Sequence, residues 1–212
     1  GAPSCTRFRR GRAGNDNLVH MGMKDGRPEA VSRIPFPLDE ERLIDRLKVE
    51  RGDEDEEAFR KLAARAREAG NPKFVYAECF IEGRGPDTVS FGGRTFTSAV
   101  LKANLEPVEK VFPYIITCGA EFDALAASPG DFLESFWIDS IKEAALGAAI
   151  PAFWALLAKR HGVRKASSMN PGSGPAGTWP IEQQRELFAL FGNVEGHIGV
   201  KLTDSCLMIP NK

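Results

Sequence analysis

Apolar residues recur at helical spacing in several stretches of the chain. Phe59, Leu62, Ala63 and Ala66 fall at positions i, i+3, i+4 and i+7, which places them on one face of a helix. Asp53 precedes four consecutive acidic residues, a pattern typical of a helix N-terminus. Weaker patterns of the same kind predict shorter helices over 38–49, 97–105 and 181–191.

The longest predicted helix begins at residues 128–131 and runs to about Arg160. Its apolar centre, residues 144–158, is shorter than the roughly 20 residues that cross a membrane. Charged residues flank this centre on both sides: Lys142, Glu143, Lys159 and Arg160. We therefore predict a core helix, and we expect Pro151 to kink it because proline removes one backbone hydrogen bond.

Runs rich in β-branched and aromatic residues predict strands between these helices. They cover residues 73–81, 88–92, 111–118, 197–202 and 206–209. Pro113 places the start of the third run at a sheet edge or a bulge. Because helices and strands come in blocks, we predict an α+β fold with a central mixed or antiparallel twisted sheet, flanked by helices that include one long kinked helix.

The first 22 residues differ from the rest of the chain. They carry several arginines, few apolar residues and no periodicity, and they lack the apolar stretch of a secretory signal. We expect residues 1–22 to be a disordered leader or a remnant of recombinant expression. Residues 23–212 are then predicted to form a single domain.

Composition narrows the possible functions. The chain has 212 residues and a formal net charge of −1, which argues against nucleic-acid binding, because that binding needs a basic face. Its four cysteines form no Cys-x-x-Cys pair, so we expect buried thiols in a reduced, cytoplasmic protein. The three histidines lie at no ligand or catalytic spacing, and we predict neither a metal site nor a self-contained catalytic constellation.

Residues 167–180 form the most unusual segment. Its glycines and prolines lie between two predicted helices, and it lacks the Gly-Lys-Ser/Thr ending of a phosphate-binding loop. Gly172, Gly174 and Gly177 have the spacing of a dinucleotide motif, but no buried strand precedes them. Glycines allow a ligand to approach the backbone while prolines restrict the loop. Trp179 either anchors this loop to the domain or lines a binding site.

Motifs in the C-terminal third resemble a known family. They are Asn170-Pro-Gly-Ser-Gly, the helix start Trp179-Pro-Ile-Glu-Gln-Gln184, and the ending Gly199-Val-Lys-Leu-Thr-Asp-Ser-Cys-Leu-Met-Ile-Pro210. Together with residues 89–96 and 115–123, they resemble the activation (reactivation) domain of cobalamin-dependent methionine synthase, and more closely its stand-alone relatives. The resemblance covers roughly residues 34–212.

That resemblance implies a function. In the family, the activation domain binds S-adenosylmethionine and covers the cobalamin domain while oxidised cobalt is reduced and remethylated. This chain is accordingly expected to be a stand-alone reactivation partner of a cobalamin-dependent methionine synthase, at most one part of a methyltransferase system in methionine biosynthesis. The implied partners are this synthase, or a related corrinoid protein that carries the cobalamin, and an electron-donor protein. Neither nucleic acid nor a membrane is expected as a partner, and no cofactor is expected to bind tightly.

The resemblance also indicates which residues face the ligand or the cobalamin. They belong to the glycine-rich loop and its anchor: Ser168, Met169, Asn170, Pro171, Gly172, Ser173, Gly174 and Trp179. Ser168 and Ser173 occupy the places at which the family has an Arg and a Tyr that hold S-adenosylmethionine. Two alternatives therefore stay open: an S-adenosylmethionine-binding methyl donor domain, and a non-catalytic structural subunit of a corrinoid methyltransferase complex.

Overall fold

An antiparallel β-sheet forms the centre of the molecule in a computed structural model that describes residues 4–8, 26–125, 131–175 and 177–212. Its strands are β1 (Ser4–Phe8), β2 (Glu29–Val31), β3 (Lys73–Tyr76), β4 (Cys79–Arg84), β5 (Thr88–Phe91), β6 (Arg94–Thr97), β7 (Lys110–Thr117) and β8 (Ala166–Met169). The order is β2-β3-β7-β4-β5-β6, and β1 pairs with both β7 and β8. Two short strands, β9 (Lys201–Leu202) and β10 (Met208–Ile209), form a separate antiparallel pair.

Helices flank this sheet. They are α1 (Glu40–Leu47), α2 (Glu54–Ala69), α3 (Ala99–Leu105), α4 (Phe132–His161), α5 (Gln184–Phe191) and α6 (Val194–Ile198), with 3₁₀ turns at Ala120–Leu125 and Ile181–Gln183. This architecture confirms the predicted α+β class, with an antiparallel sheet and one long helix. Pro151 lies inside α4, and the kink expected there stays a prediction.

Side-chain caps fix where several helices begin. The Asp53 carboxylate accepts hydrogen bonds from the backbone N–H groups of Asp55 and Glu56, at 3.0 and 3.2 Å. Such caps satisfy N–H groups that the first helical turn leaves without a partner. Asp39, Ser98, Asp131 and Asn193 cap α1, α3, α4 and α6 in the same way. Residues 128–130, also predicted to open α4, lie outside the described part of the chain.

The predicted strand over residues 73–81 is divided into β3 and β4, and Pro113 on β7 explains the division. Both halves pair with β7 in one register, since Tyr76 faces Tyr114 and Cys79 faces Val111. Between them, the Ala77 N–H donates to the Pro113 carbonyl at 3.1 Å, but proline has no N–H with which to complete the pair. The expectation of an edge or a bulge at Pro113 is wrong, because β7 has strands on both sides and its pairing keeps one register across Pro113.

Two further differences between the predicted and the observed strands come from local capping and turn residues. Residues 197–202 do not form one strand, because the Asn193 side chain accepts a hydrogen bond from the Gly196 N–H at 2.8 Å and starts α6 there. Strand β6 was not predicted at all. It pairs with β5 through Gly92 and Gly93, whose φ angles of 59° and 68° suit a tight hairpin turn.

The segment set aside as a leader contributes one strand. The backbone of β1 pairs with residues 111–114 of β7 and with residues 166–169 of β8. It therefore joins β8, which leads into the glycine-rich loop, to the rest of the sheet. The remainder of the predicted leader lies outside the residues that the structure describes.

Helix α4 spans two apolar clusters. Ile141 and Ala145 lie in a cluster with α1 and α2, whereas Ala149, Phe153 and Leu157 pack on aromatic residues of β3 and β7. These five residues recur every fourth position and are fully buried. By length and composition alone α4 could cross a membrane, which is weak evidence for a span, and 28% of its most apolar window is buried inside the protein. A third cluster packs β5 and β6 against α5 and α6.

Gly70, at the end of α2, is packed too closely to accept a side chain. A Cβ atom there would lie 2.5 Å from Phe36 Cζ and 2.7 Å from both the Ala66 carbonyl and Phe122 Cζ. We expect Gly70→Ala to lower the free energy of unfolding by about 1–3 kcal/mol, because an overpacked core must shift. Chemical denaturation measures this loss.

Gly83→Ala in β4 is the matched control, because a Cβ atom there meets nothing within 4 Å. Its unfolding free energy should stay within about 0.5 kcal/mol of wild type. Equal losses in the two variants would contradict the packing described around Gly70.

Candidate functional site

The glycine-rich loop is closed by its own backbone. The Gly172 N–H donates to the Trp179 carbonyl at 2.7 Å, and the Thr178 N–H donates to the Pro175 carbonyl at 3.0 Å. At the start of the loop, the N–H and the hydroxyl of Ser173 both donate to the Asn170 carbonyl, at 3.2 and 2.6 Å. Positive φ angles at Gly172, Gly174 and Gly177 are readily adopted only by glycine. The loop is therefore a defined shape held at both ends.

Trp179 fixes this loop to the domain. Its ring is 1% exposed and meets Phe96 of β6 edge-on, with the ring centroids 6.0 Å apart. The indole Nε1–H donates to Gln183 Oε1 at 3.1 Å. Of the two roles left open by the sequence, the structure gives Trp179 the anchoring one, and its ring lies in the core.

Gln183 connects the same anchor to the sheet. Its Oε1 also accepts a hydrogen bond from the Thr97 N–H at 3.0 Å, and its Nε2 donates to the Thr97 carbonyl at 2.5 Å. The Ser98 hydroxyl adds a hydrogen bond to the Thr178 carbonyl at 2.5 Å. The amide of Gln183 thus acts as an additional partner for the end of β6 and holds the loop beside it.

The residues predicted to face a ligand are divided between several environments. Ser168 and Met169 lie in β8, where Ser168 is exposed and Met169 packs on the core. Asn170 is half-buried, and its Oδ1 has no hydrogen-bond partner among the described residues. Gly172, Ser173 and Gly174 are exposed at the tip. Of the predicted set, only Pro171 and Gly172 line the neighbouring cavity.

This cavity has a volume of about 640 Å³, within the usual range for small-molecule sites. One wall is the loop and helix start, with Pro171, Gly172, Ile181 and Gln184. The second wall is the C-terminal segment, with Thr203 and residues 206–211, and the third consists of Asp123 and Lys142. Three parts of the chain that lie far apart in sequence therefore meet here.

Gln184 is the most informative residue of the cavity. It is 5% exposed, and its Oε1 has no hydrogen-bond partner among the described residues. A buried carbonyl oxygen without a donor costs about 1–3 kcal/mol, and such groups are rare in native proteins. A ligand that donates a hydrogen bond to this oxygen would remove that cost.

Charges of both signs lie at the opposite wall. Lys142 Nζ is 3.2 Å from Asp123 Oδ1, and the lysine is largely buried whereas the aspartate is exposed. A carboxylate could replace Asp123 beside the lysine, and an ammonium group could bind the aspartate. The cavity therefore offers contacts for a ligand that carries both charges.

The C-terminal wall is stiffened by a tight turn. The Cys206 N–H donates to the Thr203 carbonyl at 2.9 Å, and the Thr203 N–H donates to the Leu207 carbonyl at 2.8 Å. Cys206 itself has a φ of 62°, an uncommon conformation for a residue with a side chain. Leu207 and Ile209 are more than half exposed and form an apolar rim at the cavity.

Two of the described cysteine thiols, those of Cys79 and Cys118, are poor candidates for chemistry. Burial, with smaller effects from the Glu82 and Glu78 charges, raises the pKa of Cys79 to about 12. Burial likewise raises the pKa of Cys118. Thiolate is the nucleophilic form, so both groups are unreactive at neutral pH. Among the described residues, no group of three or more His, Cys, Asp or Glu side chains could hold a metal ion.

Apart from Pro171 and Gly172, none of the residues that line the cavity was among the predicted site residues; Asp123, Lys142, Gln184 and Cys206 are four examples from different parts of the chain. Gln184 is the final glutamine of the Trp-Pro-x-x-x-Gln motif, so the motif itself was a signal for it. Cys206 and Asp123 also lie in segments that carry the family resemblance, but the fold alone shows that these residues and Lys142 are neighbours. Comparison with known proteins adds no identification, because neither a family model nor a curated protein matches the chain.

Removal of the side-chain amide should change the free energy of unfolding differently at the two adjacent glutamines, Gln183 and Gln184. Gln183→Leu removes three hydrogen bonds and leaves the buried Trp179 N–H without its partner. We expect it to lower the unfolding free energy by about 1–3 kcal/mol. Thermal and denaturant unfolding measure this change.

Gln184→Leu is the matched control one residue away. It removes an oxygen that has no partner, so the ligand-free protein should be as stable as wild type or up to about 1 kcal/mol more stable. A larger loss for Gln184→Leu than for Gln183→Leu would contradict this description of the site.

Proposed function

We propose that this protein is a stand-alone reactivation partner of a cobalamin-dependent methionine synthase. Its loop at residues 170–180 would cap the cobalamin domain while oxidised cobalt is reduced and remethylated. The observation that carries the proposal is the loop itself: a backbone shape closed by the Gly172–Trp179 hydrogen bond and presented outward at Gly172, Ser173 and Gly174.

A rigid loop at residues 170–180 is suited to docking on a cobalamin domain. The family resemblance requires the domain to bring reactants together, and positioning is itself a large part of catalysis. A loop already held by Trp179 and Gln183 loses little conformational entropy on docking. The exposed Leu207 and Ile209 beside it supply apolar surface of the kind that protein interfaces bury. The cobalt chemistry would belong to the cofactor on the partner.

Reactivation can be measured directly with a methionine synthase that lacks its own activation domain. The purified protein should bind the cobalamin domain and restore turnover to enzyme that starts as Co(II), in the presence of a reductant and a methyl donor. Binding to none of the cobalt states would contradict the proposal.

Ser173→Trp tests the loop within that assay. Ser173 is exposed, so a bulky side chain should leave the fold intact and weaken docking tenfold or more, which corresponds to about 1.4 kcal/mol. Ala64→Trp, at an exposed position of α2, is the control and should reactivate like wild type. Docking without reactivation, unaffected by Ser173→Trp, would instead indicate a structural subunit of a corrinoid methyltransferase complex.

The cavity favours a second candidate function, an S-adenosylmethionine-binding methyl donor domain. The ligand's ammonium and carboxylate groups match Asp123 and Lys142, and its polar hydrogens could satisfy Gln184 Oε1. Ser168 and Ser173 provide no guanidinium or phenol, so these cavity contacts would take the place of the family's Arg and Tyr.

Calorimetric titration separates this candidate from docking alone. S-adenosylmethionine should bind the wild-type protein and bind Gln184→Leu about tenfold more weakly, a difference of about 1.4 kcal/mol. Gln184→Leu is suitable because its fold should be unaffected. No heat at ligand concentrations of about 1 mM, equivalent to roughly −4 kcal/mol of binding free energy, would remove this candidate and leave the docking proposal standing.

A further inference from the structure

The outward face of α4 is apolar, although no element of the described structure covers it. Its inward face is the buried row from Ile141 to Leu157. On the opposite side, Gly147, Ile150, Pro151 and Ala155 are exposed, and Ile150 retains 41% of its accessible surface. We call these four residues, with the half-buried Trp154, the outer face of α4.

The outer face lies in a stretch without charges. Residues 144–158 include no Asp, Glu, Lys or Arg, although most helices of soluble proteins have a polar outer side. An exposed, continuous apolar patch usually marks an interaction surface. The share of α4 buried inside the protein, 28% of its apolar window, leaves much of the helix available for a partner.

Charges of opposite sign stand at the two ends of this face. Asp139 and Glu143 are exposed before it, and Lys159 and Arg160 are exposed after it. Lys212 contacts both acids, at 2.5 and 3.5 Å, and leaves each of them more than half exposed. Arg160 pairs with Glu29 at 2.5 Å. Lys159 makes no ion pair with the described residues.

The arrangement is symmetric about Pro151. Gly147 lies four residues before it and Ala155 four residues after it. Glu143 lies eight residues before it and Lys159 eight residues after it. If two copies of α4 cross antiparallel at Pro151, each Glu143 lies on the side of the partner's Lys159, and each Gly147 on the side of the partner's Ala155. A parallel arrangement would instead place like charges together.

We propose that the outer face of α4 is a docking surface for a second copy of this chain, related by a twofold axis that passes beside Pro151. Identical patches contact each other in such an interface. The small residues Gly147 and Ala155 let the helices approach closely, while Ile150 and Trp154 provide most of the apolar surface that the contact buries.

Pro151 also changes the backbone hydrogen bonding of the outer face of α4. It has no N–H to donate to the carbonyl of Gly147, which is the acceptor four residues earlier on the same exposed row. That carbonyl is therefore an available polar acceptor within an otherwise apolar surface.

The charge pattern favours a second copy over a lipid bilayer. Helices that lie on membranes usually carry cationic polar faces, whereas Asp139 and Glu143 make one end of this face acidic. The uncharged stretch is also shorter than the roughly 20 residues of a membrane span. A second copy in the antiparallel orientation, by contrast, places its basic end beside the acidic end of this face and its acidic end beside the basic one.

One helix face is small for an interface, since stable pairs bury about 800 Å² per partner. We therefore expect weak association, with a dissociation constant of roughly 1–100 µM, equivalent to about −8 to −5 kcal/mol. Sedimentation equilibrium of the full chain should show a monomer at low concentration and a dimer at high concentration.

Trp154 reports on the same contact independently. Trp137 and Trp179 are buried, at 4% and 1% exposed, whereas Trp154 is partly exposed. Iodide quenching of tryptophan fluorescence should therefore decrease as the protein associates, because the dimer covers Trp154. Quenching that does not change across the sedimentation transition would place the interface elsewhere and overturn the proposal.

Ala155→Arg tests the centre of the face, because it buries a charge in the apolar contact against the partner's Gly147. Dimerisation should weaken at least tenfold, with unchanged thermal unfolding of the monomer. Ala64→Arg, the same substitution at an exposed position of α2, is the control and should dimerise like wild type. Equal association of the two variants would overturn the proposal.

A charge exchange tests the orientation. Glu143→Lys and Lys159→Glu should each weaken the dimer, and the double variant should recover most of the affinity because opposite charges face each other again. Failure of that rescue would exclude the antiparallel register. A protein that stays monomeric at all concentrations also overturns the proposal, whether or not it then binds phosphatidylcholine vesicles or vesicles that contain phosphatidylglycerol.

Discussion

The hydrogen bonds of Gln183 are the constraint on which the candidate site depends. One amide group accepts from the Trp179 indole and exchanges two hydrogen bonds with the backbone of Thr97. Trp179 then fixes Gly172 through its carbonyl. A short chain of contacts therefore runs from the end of β6 to the tip of the loop. Without it, the glycines of this segment would leave many conformations open to the chain.

The cavity follows from the same contacts. Because Trp179 and Gln183 place the start of α5, the next residue, Gln184, is directed to the interior. The turn at Thr203 to Cys206 brings the C-terminal strand pair against it. Lys142 of α4 closes the remaining side with Asp123. Binding sites often lie where several elements meet, and the structural core provides the rigidity that such a site needs.

Local signals in the sequence predicted much of the fold. Asp53 and the acidic turn after it predicted the start of α2, because capping depends on neighbouring residues alone. The division of β3 from β4 could not be read from residues 73–81, since its cause is Pro113 on another strand. The C-terminal error has a different origin. Residues 197–202 alternate like a strand, but the Asn193 cap, visible in the sequence, determines a helix.

The candidate site was less predictable than the fold. The loop was identified because glycine and proline are local signals, and the role of Trp179 needed only knowledge of its burial. The cavity needed contacts between residues 123, 142, 184 and 206, which are separated by long stretches of chain. The spacing of apolar and polar residues along the chain does not predict such long-range contacts. An unpaired side-chain oxygen, such as that of Gln184, can be recognised only after every neighbouring donor has been placed.

The apolar composition of helix α4 did not show which of its sides is buried within the chain. Its apolar stretch predicted a core helix, and the row at Ile141, Ala145, Ala149, Phe153 and Leu157 is indeed buried. A helix packed on one side needs only one such row, and α4 has apolar residues on the opposite side too. The row is explained by the sheet and by α1 and α2. On the outer face, Trp154 contacts Tyr114 of β7, whereas Gly147, Ile150, Pro151 and Ala155 stay exposed. Packing within the described chain does not explain why these four residues are apolar. Burial within one chain therefore accounts for one side of this helix, and the proposed association with a second copy would account for the apolar character of the other.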